Sequence, residues 1–109
     1  MTSPSVVKPA HEGVEMPKWT FLTNHSHVLI LLTKAPDLTL RDIGARIGIT
    51  ERAVHKIVSE LEASGYLERD RVGRRNRYKF SLGKSLRHPV ESHKNIGDII
   101  KVVLSGMKL

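Results

Sequence analysis

Between Tyr66 and Lys79 the chain carries Arg69, Arg71, Arg74, Arg75, Arg77 and Lys79, against only Glu68 and Asp70. Each guanidinium is a permanently charged planar fork of N–H donors. It matches two oxygens of a phosphate or the acceptor edge of a guanine. Just upstream, Arg52, His55, Lys56 and Ser59 recur at i, i+3, i+4 and i+7, the spacing that gathers side chains on one face of a helix. Beside the arginine cluster, such a face would offer donors to a polyanion from two directions. A solvated hairpin whose charges block edge-to-edge aggregation would also be charged, but that does not require five arginines.

The charge of the whole chain points the same way. Eighteen Lys and Arg against 11 Asp and Glu give a formal charge of +7, and the pI is about 10.1. Such a balance suits nucleic acid or an acidic membrane surface. A membrane-surface reading needs a basic amphipathic helix, whereas the basic cluster here has the pattern of a hairpin. There is no cysteine, which excludes disulfides, thiolate metal sites and cysteine nucleophiles and fits a reducing cytosol. The opening MTSPSVVKPAHEGVEMPK lacks the apolar segment of a secretory signal. The longest apolar run, Val28 to Leu32, is too short to span a bilayer. No glycine-rich phosphate loop and no local Ser/His/Asp motif is present. The sequence therefore reads as a non-enzyme with no catalytic residue and no cofactor. Six histidines raise a metal site as an alternative, with His25 and His27 two apart and His88 and His93 either side of Pro89. Two residues apart on a helix point in different directions, and capping or surface roles serve these histidines equally well, so no metal ligand set is assigned.

A length of 109 residues with 39% hydrophobic content suits one domain with one modest core, which a partner subunit would help to stabilise. Residues 1–18 carry Pro4, Pro9, Pro17 and Gly13 and few large apolar residues, and read as a disordered tail. A helix is expected over 24–34, capped by Thr23 or Asn24 and ended by Pro36. Its centre, Val28-Leu29-Ile30-Leu31-Leu32, is apolar all round, which implies burial all round, with a core on one face and a second subunit on the other. Thr39, with Asp42 three residues on, opens a second helix running to Ile47, which Gly48 stops. Thr50 caps a third from Glu51 to about Ser64, closed by Gly65. Val54, Ile57, Val58 and Leu61 form its buried stripe, opposite the Arg52–Ser59 face. The period then falls to two. Residues 66–71 and 77–81 read as strands around a turn at 72–76, and Arg69 and Arg71 are placed to pair with Glu68 and Asp70. A loop with Gly83 and Pro89 precedes a last helix over about 91–104, with Ile96, Ile99, Ile100, Val103 and Leu104 on its apolar stripe.

The order helix, helix, tight turn, helix, hairpin is that of a helix-turn-helix followed by a wing. Gly44 supplies a small residue where two helices cross closely. The fold class expected is mainly α with a small β-hairpin, a three-helix core plus wing and a C-terminal helix. The run LRDIGARIGITERAVHKIVSELEASGYLERDRVGRRNRYKF resembles the winged helix-turn-helix regulators of the MarR and ArsR type. The flanking WTFLTNHSHVLILL and LRHPVES resemble a group of short bacterial members, so the likeness covers about 19–105. It implies a winged domain over 19–82 and a loop and dimerisation helix over 83–109. It also implies that the helix at 50–64 enters the major groove of double-stranded DNA while the wing at 71–76 follows the backbone or minor groove. Dimerisation is implied through the terminal helices, here Val28 to Leu32 and Ile96 to Leu104, with Leu29, Leu32, Ile96, Ile99, Ile100, Val103 and Leu104 as contacts. The cysteine ligands of metal-sensing relatives are missing, and no effector is indicated. A winged-helix module that binds protein is the other use of such a fold.

Chemistry gives the residues their roles. Arg52 can fork onto guanine O6 and N7. His55 and Lys56 share its face, with Ser59 further along. Thr50 and Glu51 sit where helix N–H groups favour a phosphate, and Glu51 either accepts from cytosine N4 or complements the helix dipole. On the wing, Arg71, Arg74, Arg75, Asn76 and Arg77 are the candidates for phosphate or minor-groove contact, with Arg74 and Arg75 at the tip.

Overall fold

The computed structural model describes residues 16–107, and the expected tail falls largely on residues 1–15, outside that range. Four helices and one hairpin follow in the order α1 (Asn24–Lys34), α2 (Leu40–Ile47), α3 (Glu51–Ala63), β1 (Leu67–Val72), β2 (Arg75–Phe80) and α4 (Ile96–Leu104). None of these helices is long and apolar enough to cross a membrane.

Each of the first three helices starts at a threonine whose hydroxyl satisfies an otherwise orphaned N–H. Thr23 accepts from the Ser26 amide, Thr39 from Asp42 and Thr50 from Ala53. At Thr39 the Asp42 carboxylate reaches back to the cap amide and completes a capping box. Gly48 ends α2 at φ +84°, a left-handed conformation that costs glycine little. Its neighbour in the motif, Gly44, is buried for a different reason. A Cβ there would lie 2.7 Å from the Ile49 carbonyl oxygen, so the chain entering α3 rests directly on the α2 backbone.

The core is gathered around α1. Val28, Leu29, Ile30, Leu31 and Leu32 are all buried, and they join Leu40 and Ile43 of α2, Val54, Ile57, Val58 and Leu61 of α3, and Tyr66 and Leu67. Burying each such side chain stabilises by about 1.5–3 kcal/mol. The remaining side of α1 is taken by α4, which places Ile96 and Ile100 in the same core. This corrects the expected division of α1 between a core and a second subunit. Leu29, Leu32, Ile96 and Ile100 are used within the protomer, because the chain after the hairpin folds back over α1.

Two boundaries differ from the sequence reading. The hairpin pairs Leu67 with Phe80 through to Val72 with Arg75, so the turn is only Gly73-Arg74 and Arg75 and Asn76 belong to β2. Gly73 has φ +65°, as the two-residue turns that match strand twist require. The last helix begins at Ile96 rather than near Glu91. Asn95 and Asp98 form a capping box there, and residues 88–94 form turns instead. The overall composition, mainly helical with one antiparallel hairpin, is that of a winged helix.

Candidate nucleic-acid interface

Helix α3 is amphipathic, and its two stripes have separate fates. Val54, Ile57, Val58 and Leu61 hold it to α1 and α2, while Glu51, Arg52, His55, Lys56 and Ser59 are exposed. Thr50, at the cap, is exposed too. The C-terminal helix covers α1 and leaves this face open.

The hairpin register sorts the wing residues into two faces, because directly opposed residues share a side. Leu67, Arg69, Arg71, Asn76, Tyr78 and Phe80 face the body of the domain. Glu68, Asp70, Val72, Arg77 and Lys79 face outward, whereas Arg75, opposite Val72 beside the turn, carries its guanidinium back to the loop before α2. On the outer face, Glu68 lies opposite Lys79 and Asp70 opposite Arg77, so two acids sit across from two cations. Arg69 does not pair with Glu68 as expected. It turns inward to Glu62 of α3 at 3.1 Å, a half-buried contact that ties the base of the wing to α3. Tyr78 and Phe80 stack with ring centroids 6.2 Å apart and support the inner side of the hairpin.

Between the wing and the helices lies a cleft of about 690 Å³. Glu51 and His55 of α3 line one side, and Arg69, Arg71, Arg74, Arg75 and Asn76 line the other. Pro36, Asp37, Leu38, Thr39 and Leu40, from the loop leading into α2, close the third side. The structure thus brings His55 and Glu51 into one hollow with the wing arginines. Arg52 and Lys56 lie outside its lining, on the exposed face of the same helix, and Arg77 lies on the outer face of the wing. Within the cleft Glu51 stands 3.6 Å from His55, one turn away. Asp37 reaches Arg75 at 3.4 Å, a partnership that nothing local in the sequence signals.

A second pair supports α3 from behind. His25 Nε2 lies 2.7 Å from Glu60 Oε1, joining the start of α1 to the second half of α3. The hydrogen bond from His25 is the main cause that holds the Glu60 carboxyl below its ordinary range, with Lys56 and Arg87 adding attraction. His27 is half-buried, and burial lowers its pKa. Among the described residues no group of three or more His, Asp or Glu is placed to hold a metal ion.

A model of the MarR family matches residues 20–76, from the segment before α1 into the wing. No curated protein and no solved structure matches the chain. The matched stretch spans more than half of the sequence and contains the helix-turn-helix and the tip of the hairpin, and the chain belongs to the MarR family, a family of DNA-binding transcriptional regulators rather than of enzymes.

Proposed function

We propose that this regulator reads duplex DNA sequence with α3 in the major groove while the wing grips the backbone or the adjacent minor groove. The observation that carries the reading is the cleft itself. The exposed N-terminal half of α3 and the inner arginines of the wing meet along one hollow, and the base-reaching candidates Arg52 and Lys56 continue outward from it on the same helix. Thr50 and Glu51 stand at the positive end of α3, where a phosphate is favoured. Arg52, His55 and Lys56 face base edges, with Ser59 at the rim. Arg71, Arg74, Arg75, Asn76 and Arg77 supply the backbone contacts, which position the protein without reading sequence.

The same proposal includes a homodimer on a pseudo-palindrome, with recognition helices about 34 Å apart. The winged part spans 19–82 and the segment 83–109 carries the contact. With Ile96 and Ile100 committed to the core, the partner would meet the other side of α4. Val102 is 74% exposed there, and Ile99, Val103 and Leu104 are part-exposed. An Arg-rich, charged wing supports the DNA reading over a protein-docking one.

Selection of bound fragments from random duplex DNA tests the reading, with Arg52→Ala and Arg74→Ala measured on the winners. Enrichment of a two-fold symmetric site is expected. Arg52→Ala should cost about 1–3 kcal/mol and relax sequence preference. Arg74→Ala should weaken all duplexes alike and flatten the salt dependence by about one unit. Absence of any enriched sequence, or identical behaviour of the two variants, refutes it.

A further inference from the structure

Asp37 occupies an unusual place for an acid. It sits in the loop between α1 and α2, on the wall of the cleft that faces Arg69, Arg71, Arg74 and Arg75 of the wing, with Glu51 of α3 the other acid in the lining. Its carboxylate meets Arg75 across 38 positions of sequence. Among the described residues this is the one ion pair that holds the tip half of the wing, since Arg69–Glu62 holds the base. Both partners are open to water, with side chains 87% and 79% exposed. The local turn explains only part of the choice. The Leu38 amide bonds to the Ala35 carbonyl, with Pro36 and Asp37 between them, and Asp or Asn serves such a turn equally well. The negative charge is therefore surplus to the turn. It lies where a phosphate would otherwise approach Arg75.

We propose that Asp37 is an intramolecular competitor for phosphate at Arg75, a brake on the affinity of the wing for any duplex. The inference rests on the DNA-binding reading above. In the free protein Arg75 is partnered by a carboxylate. On a duplex it exchanges that partner for a phosphate, and Asp37 is left facing the backbone. The exchange lowers affinity in two ways: a contact is given up, and a like charge stays beside the DNA. It also softens the salt dependence. Cations released from the phosphate are partly taken back by the freed carboxylate, so the net release is smaller than the count of arginines implies. The pair is exposed and single-pronged, which limits the effect to the range of surface ion pairs, about two- to five-fold in affinity.

The test uses the full chain and a fluorescein-labelled random-sequence duplex, titrated at several salt concentrations. Four proteins are compared: wild type, Asp37→Asn, Arg75→Ala and the double variant. Asparagine keeps the turn and the shape, and thermal melts confirm equal folding. Asp37→Asn should bind about two- to five-fold tighter at low salt, with a salt slope steeper by up to about one unit. In the Arg75→Ala background the same change should gain less, because only the like charge beside the DNA is then relieved. Unchanged or weaker binding by Asp37→Asn overturns the proposal and makes Asp37 a wing-positioning residue or a mere turn residue. An equal gain with and without Arg75 also overturns it, because the effect is then general charge rather than competition. Failure of the wild type to bind any duplex in a salt-dependent way is a separate result. It removes the DNA-binding reading itself, and the brake with it.

Discussion

Substitution of Gly44 by valine tests the packing on which the position of α3 depends. Gly44 is in the interior of α2, where glycine is a poor residue, and replacing it by alanine should gain about 1 kcal/mol of helix propensity. The surroundings reverse the sign. The first added carbon would stand 2.7 Å from the Ile49 oxygen, 3.3 Å from the Thr50 carbonyl carbon and 3.4 Å from the Glu51 nitrogen. All three are main-chain atoms of the turn, so no flexible side chain can yield. Overpacking costs about 1–3 kcal/mol where neighbours can shift, and valine brings two further carbons to the same wall. A net loss of about 3 kcal/mol is expected, equivalent to a fall in melting temperature of more than about 12 °C for a domain of this size. Ala45, its exposed neighbour on α2, provides the reference. Ala45→Val should lose only the propensity difference, about 0.6 kcal/mol. Thermal unfolding of both variants by far-UV circular dichroism measures the contrast. Melting temperatures that agree within about 2 °C would show that α2 and α3 do not approach as described.

Three further outcomes are expected. Thr50→Ala loses the bond to the Ala53 amide and should destabilise by about 1 kcal/mol in a urea titration, while Thr50→Ser should keep most of it. Ile100→Asp places a charge at a site only 2% exposed and should unfold the protomer. Val102→Asp, two residues on and exposed, should leave the melt nearly unchanged and abolish the proposed dimer in sedimentation. A Val102→Asp protein that still sediments as a dimer would remove this face of α4 from the contact. Because burial lowers the pKa of His27 from 6.5, the folded state favours its neutral form. Its contribution is fully present above pH 6.5 and declines as pH falls toward the lowered value, where the unfolded chain has already taken up its proton. Melts from about pH 7.5 to about pH 5.5 should show that decline, and His27→Gln should reduce it.

What could be read from the sequence was local. Thr23, Thr39 and Thr50 announce their helices because a cap acts over three residues, and Gly48 and Gly65 end two of them by conformations written in one residue. The exposed stripe of α3 followed from spacing alone, as did the arginine content of the wing. The start of β2 was harder. Alternation of apolar residues begins only at Tyr78, yet backbone pairing starts at Arg75, because the two-residue turn at Gly73 fixes the register. The capping box of Asn95 and Asp98 was available in the sequence, but it was masked by a polar run before it. The contacts of Asp37 with Arg75 and of His25 with Glu60 join residues 38 and 35 positions apart, and no periodicity carries that information. The cover over the second face of α1 is just as remote in sequence. An all-round apolar helix states that it must be covered, and only the folded chain shows that α4 covers it.

The covering of α1 by α4 has a practical corollary for anyone trimming this protein. The stretch shared with the family stops in the wing at residue 76, which invites a shortened gene product ending just past Phe80. Such a fragment would keep every candidate DNA contact and still be an insoluble or molten one, because the flank of α1 that Ile96 and Ile100 shelter would open to water. The last helix is thus needed to finish a single protomer before any pairing of protomers begins.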